Sequence, residues 1–134
     1  VVGGEPYEAD DAYRSLISGK IETNETINTI ADGLRTNLGA LTFDIMKRLI
    51  KCIVRVEEKE IVEAMRLIWE RMKIVVEPSA AVALSALLKT AGYDNGTVDC
   101  PEPAYVKDRE IGVMLSGGNV DLFTAPLPGK YIRT

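Results

Sequence analysis

Five residues, Cys52-Ile-Val-Arg-Val56, mostly β-branched and followed at once by an acid-led helical pattern, constrain the fold of this chain most. The run reads as a strand. Behind it, Ile61, Met65, Ile68 and Met72 recur at spacings of four, three and four, the period of one packed helix face. Glu57, Glu58 and Glu60 crowd the first turn of that helix and Arg71 and Lys73 its last, as the helix dipole favours. The alternation extends along the chain. Val1-Val2-Gly3-Gly4 reads as the end of a core strand, residues 8–18 as a short helix, 19–28 as a polar surface loop, and 42–50 as a helix presenting Phe43, Ile45, Met46 and Leu49 to a core. Pro78 opens a helix with a small apolar surface of Ala80, Ala81, Ala83, Leu84, Ala86 and Leu87. Residues 92–109 read as an exposed loop, 111–115 as a buried strand, and 126–134 as a tail with little to pack. Strand and helix signals in alternation predict an α/β fold, a parallel sheet with flanking helices.

Length and charge narrow the function. At 134 residues the chain is one domain's worth. Its 16 basic and 20 acidic residues, a net charge of −4 without a basic cluster, argue against nucleic acid and against an anionic membrane surface. No apolar run approaches the ~20 residues of a spanning helix. There is no histidine, which excludes a histidine base or histidine-ligated zinc from this segment. Cys52 and Cys100, without metal-ligand spacing, read as structural thiols of a reducing compartment. With no methionine or turn ahead of it, Val1 is expected to lie mid-fold.

Four places carry candidate chemistry. Ser116-Gly117-Gly118-Asn119, at the end of the apolar run 111–115, lets backbone approach a ligand while Ser116 and Asn119 offer hydrogen-bonding side chains; the same pattern also fits a plain tight turn. Glu77, between Ile74-Val-Val76 and Pro78, fits either a site carboxylate or a helix N-cap. Asp32-Gly33 is a turn whose glycine suits a close approach. Glu5, Ala9 and Asp11 combine two carboxylates with a carbonyl, oxygen donors that suit magnesium, calcium or manganese; they equally fit acids favoured in a first helical turn.

Taken in order, Ile30-Ala-Asp-Gly33, Trp69-Glu-Arg-Met-Lys73, Glu77-Pro-Ser-Ala80 and Leu115-Ser-Gly-Gly-Asn-Val-Asp121 resemble the serine racemases and the wider fold-type II, pyridoxal-phosphate-dependent serine and threonine dehydratases. The match runs in register over about residues 1–122. The resemblance implies the tryptophan synthase β-like fold, with residues 1–134 as the C-terminal part of the large cofactor-binding domain and the N-terminal half and small domain absent. It implies pyridoxal 5'-phosphate as cofactor, with Ser116 against the pyridine nitrogen and Gly117, Gly33, Asp32 and Glu77 around the ring. It also implies a divalent ion, Mg2+ above all, on Glu5, the Ala9 carbonyl and Asp11, and contacts of Lys73 and Asn119 to ATP as an effector.

The residues that would attach the cofactor, hold its phosphate and serve as acid and base belong to the family's part before Val1, so this segment alone is expected to be inert. The implied whole enzyme is a cytoplasmic homodimer that racemises serine and eliminates water from serine or threonine-like substrates. A threonine or 3-hydroxyaspartate dehydratase is the near alternative. A non-catalytic regulatory or interaction fragment is the alternative from another class.

Overall fold

The computed structural model describes residues 1–92, 100 and 109–125. Strand β1 (Val2–Pro6) pairs in parallel with β2 (Cys52–Val56), in the register Val2 to Cys52 through Pro6 to Val56. Parallel partners need a long crossover. Helices α1 (Asp11–Ser18) and α2 (Ala40–Leu49) lie on it. Helices α3 (Glu58–Leu67) and α4 (Pro78–Thr90) follow β2, and α4 packs on α3 and on both strands. The expected α/β class with a small parallel sheet and flanking helices is thus the observed one.

Each boundary has a local cause. Gly19 ends α1 in the left-handed region at φ 74°, its N–H donating to the Ser15 carbonyl. A reciprocal capping box opens α3: Glu57 accepts from the Glu60 backbone, and the Glu60 carboxylate accepts from the Glu57 N–H. Pro78 occupies the first turn of α4, where a missing N–H costs nothing. The end of α3 widens into a π-turn, Ile68–Met72, and Lys73 reverses the chain at φ 60°.

The core forms where β2, α3 and α4 meet, from residues such as Val54, Val56, Ile61, Met65, Ile68, Val82 and Ala86. Three of the four stripe residues of α3 are in it, but Met72 is 54% exposed because the π-turn rotates the stripe away. The reading of α2 also needs correction: Phe43 is buried, whereas Ile45 and Leu49 are 48% and 63% exposed. Helical period alone does not reveal how wide a face is covered.

Gly4 allows α4 to lie on β1. A Cβ there would stand 2.9 Å from the Val82 carbonyl oxygen and 3.0 Å from the Ala86 Cβ. Gly4→Ala is therefore expected to lower stability by about 1–3 kcal/mol in a thermal melt. Gly39→Ala, whose nearest neighbour would be the Thr42 hydroxyl at 3.5 Å, serves as the control and should change little. Equal melts for the two variants would refute the close packing at Gly4.

Two further expectations are overturned. Residues 111–115 form no strand, and Ile111 and Met114 are 43% and 78% exposed. No ladder joins the run to β1, and both line a cavity of about 510 Å³. Cys52 and Cys100 are not separate thiols: a disulfide joins them across 48 residues, with the Cα atoms 5.6 Å apart. Sequence spacing says nothing of that proximity, which arises when residue 100 returns to the start of β2, and the bond removes the thiol argument for a reducing compartment. Of the 92–109 loop, only Gly92, Cys100 and Arg109 are among the described residues, and the 126–134 tail lies outside them. Among the described residues, no helix is long and apolar enough to cross a membrane.

Candidate functional site

Two turns predicted from distant parts of the chain meet at the N-terminus of α4. On one side, the Gly33 N–H donates to the Ser79 hydroxyl at 3.0 Å and to its neighbour Asp32 Oδ1 at 2.9 Å, and the Ser79 hydroxyl donates to Asp32 Oδ1 at 3.4 Å. On the other, the Glu77 N–H donates to the Gly117 carbonyl at 3.1 Å, while Glu77 Oε2 accepts from the Asn119 N–H at 2.9 Å. Asp32, Gly33, Glu77, Gly117 and Asn119 are thereby gathered around one helix end. Ser116 is exposed at the rim, next to the anchored Gly117.

Glu77 sits at the N-cap position of α4 but makes no side-chain cap bond. Its carboxylate instead holds the 116–119 turn, so Glu77 is the N-cap by position and an anchor of that turn by its side chain. The glycine pair has a related cause. A Cβ on Gly117 would lie 2.8 Å from Glu77 Oε1, and one on Gly118 2.7 Å from the Val75 carbonyl oxygen. Both glycines are needed for close approach, and the approaching atoms are the protein's own. What the seated turn offers outward is the Ser116 hydroxyl, a donor and acceptor on a fixed base.

Ser79 was not singled out by sequence reasoning, although it stands inside Glu77-Pro-Ser-Ala80. A serine in a first helical turn signals only a local role, and its partners lie 46 and 47 residues away. Lys73 lies apart from these bonds; its ammonium donates to the Glu70 carbonyl at 2.6 Å and closes the π-turn.

The candidate cation ligands cluster at the end of β1. Glu5 and Asp11 are 7% and 3% exposed, and Ala9 is fully buried. The Glu5 carboxylate accepts from the N–H groups of Ala12 at 3.0 Å and Tyr13 at 2.8 Å, doing from β1 the capping work that Asp10 at the N-cap of α1 does not do. Asp11 accepts from the Asn24 amide at 2.8 Å and the Leu38 N–H at 3.1 Å. Burial pushes the Glu5 carboxyl up to about 7 although those N–H groups oppose it, and the nearby charges of Asp11 and Asp10 push the same way as burial.

Asp10 goes the other way. Burial alone would raise it, but hydrogen bonds from Arg14 at 2.7 Å and Arg55 at 2.9 Å prevail and hold it below the usual carboxylate range. Arg55 is itself sandwiched between the Tyr7 and Tyr13 rings, 4.6 and 3.9 Å from their centroids.

Among the described residues, no group of three histidine, cysteine or acidic side chains could hold a metal ion. Glu5, Asp11 and Gly33 all line one cavity of about 420 Å³. Gly3 and Gly4 of β1 and Ile53 near the start of β2 also line it.

The sequence profile described as pyridoxal-phosphate dependent enzyme matches residues 1–98. A serine racemase of Dictyostelium discoideum is 47% identical over 124 residues, 91% of this chain and 35% of that protein. A beta-hydroxyaspartate dehydratase of Paracoccus denitrificans is 40% identical over 126 residues, 94% of this chain and 36% of that protein. The structure of maize serine racemase superposes with a TM-score of 0.79 at 40% identity, covering 92% of this chain and 35% of that one. The chain thus spans about a third of the length of these relatives. A profile match over 98 of 134 residues, and relatives at 40% identity or more that reach nearly the whole chain, make it a member of the pyridoxal-phosphate-dependent enzyme family.

Proposed function

We propose that this chain is the C-terminal part of the large cofactor-binding domain of an enzyme that racemises serine and removes water from serine or threonine-like hydroxy amino acids, giving a 2-oxo acid and ammonia. The observation that carries the reading is the seating of the 116–119 and 32–33 turns on one helix terminus by Glu77 and Ser79. The residues present fit the cofactor: an exposed serine hydroxyl stands on a backbone fixed at two neighbouring points, ready to face a ring nitrogen.

When bound, pyridoxal phosphate withdraws electrons from the substrate α-carbon. Ser116 would hold the ring nitrogen through a neutral hydroxyl, a milder partner than a carboxylate, and mild withdrawal suits both racemisation and elimination. Asp32 and Gly33 would line one wall of the cleft. Glu77 would organise the opposite wall without moving a proton itself. The attaching lysine and the acid and base are assigned to the rest of the enzyme, a homodimer whose substrate is a small amino acid.

Glu5, Ala9 and Asp11 are proposed to hold magnesium, calcium or manganese in a structural role. Two buried acids close together are the chemistry such an ion would relieve. Lys73 and Asn119 are proposed contacts for ATP as an effector.

The full-length protein, loaded with cofactor and given L-serine, L-threonine or 3-hydroxyaspartate, tests the reading through D-serine and ammonia release. The 40% identical dehydratase makes hydroxyaspartate the competing substrate. Full-length protein that binds cofactor but turns over none of the three would favour the regulatory fragment instead. Ser116→Ala should weaken cofactor binding about threefold to tenfold, the worth of one hydrogen bond. Ser116→Asp should shift the ratio of racemisation to elimination. Unchanged binding and ratio in both variants would remove Ser116 from the ring nitrogen.

A further inference from the structure

We propose that Trp69 is a positioning residue for the 116–119 turn, acting through residues 75–77; the proposal deepens the pyridoxal-phosphate reading and rests on it. Trp69 lies in the π-turn that ends α3 and packs half-buried against the core. The left-handed Lys73 folds the following segment back beside that turn. The indole N–H then donates to the Val76 carbonyl at 2.9 Å, across seven residues.

Residues 75–77 are the seat of the turn that carries Ser116. The Val75 carbonyl lies under Gly118, and the Glu77 backbone and carboxylate bind Gly117 and Asn119. Trp69 therefore grips the middle residue of a three-residue seat whose two outer residues grip the turn. Val76 is 2% exposed, so solvent is poorly placed to replace the indole as partner of its carbonyl. Without the bond, residues 75–77 lose a fixed point, and the spread of Ser116 positions widens. A donor that prearranges a cofactor contact raises affinity by removing that spread before binding.

The test uses the full-length protein with Trp69→Phe and with benzothienylalanine at position 69, an isostere that keeps the ring shape and lacks the N–H. Two readouts are taken. Amide hydrogen exchange on cofactor-free protein should be faster at Glu77 and Asn119 in both variants. The dissociation constant of pyridoxal phosphate should rise about tenfold, roughly one lost buried hydrogen bond. Combined with Ser116→Ala, the effect of the isostere on affinity should shrink, because a poorly held turn matters less once its hydroxyl is gone.

Parent-like exchange at Glu77 and Asn119 with the isostere overturns the positioning role whether or not cofactor binds. Parent-like affinity, or full additivity with Ser116→Ala, overturns its extension to the cofactor. A parent protein that binds no pyridoxal phosphate instead sinks the functional reading, while the exchange data still decide the role of Trp69. If Trp69→Phe does not fold, the isostere, which opens no cavity, supplies both readouts.

Discussion

Replacing Lys89 by methionine is expected to lower stability by about 3–5 kcal/mol, a loss large enough to threaten folding. The Lys89 ammonium and the Glu60 carboxylate are 5% and 9% exposed and 3.1 Å apart. The ammonium also stands 5.1 Å from the centre of the Tyr7 ring. Glu60 accepts at the same oxygen from the Glu57 N–H at 2.6 Å, so the pair ties the capping box of α3 to the last turn of α4. Methionine keeps most of the lysine volume, which makes the lost charge the main effect. A carboxylate then stays buried with the Glu57 N–H but without the lysine that faces it. Glu60→Gln added to Lys89→Met should restore most of the loss, since an amide has no charge to leave unpaired. A single variant as stable as the parent, or a double variant no better than the single, would show that the pair does not join the helices energetically.

In metal-free buffer the protein is expected to lose about 3 kcal/mol of stability as pH rises from 4.5 to about 7, through Glu5 alone. The unfolded chain releases the Glu5 proton near 4.5, whereas burial holds it in the folded protein up to about 7. Over that window the folded state binds more protons, so stability falls with rising pH and levels off above it. Magnesium at pH 8 should recover much of the loss if Glu5 and Asp11 are ligands, by about 2.7 kcal/mol at a hundredfold excess over its dissociation constant. Glu5→Gln should abolish the fall, and together with Asp11→Asn it should remove the magnesium effect. A pH profile shared by the parent and Glu5→Gln would refute the raised Glu5. Stabilisation by magnesium that survives both substitutions would move the ion elsewhere.

Much of the scaffold was legible because its signals are local. The β-branched run at 52–56, the acid-led helix after it and Pro78 ahead of α4 each act within a turn or two of backbone. The run 111–115 misled for the same reason. Its apolar character is local, but a strand also needs a neighbour within hydrogen-bonding reach, and among the described residues the sheet pairs only β1 with β2. For α2, the pattern identified a helix and not how much of it finds cover, leaving Leu49 63% exposed.

At the site the division is similar. Asp32-Gly33, Glu77 and Gly117 were recognisable as a constellation only through their order along a family-like sequence, and the bonds that seat them at the start of α4 span 40 to 47 residues. Ser79 and Trp69, which fix the two turns and their seat, stand inside family-like motifs, but nothing local in those motifs tells which distant residues they bond. Glu60 was read as an acid placed for the helix dipole, and it is also half of a buried ion pair with a residue 29 positions away.

Residue order therefore settled the class of fold, the presence of the main helices and the family, since these follow from backbone propensity, capping and motifs that act over a few residues. Tertiary structure alone decided that Cys52 meets Cys100, that Glu5 caps α1, that Lys89 neutralises Glu60, and that two distant turns share one helix terminus. Those outcomes depend on distances and burial between residues far apart in the chain, and both come into being only when the core closes.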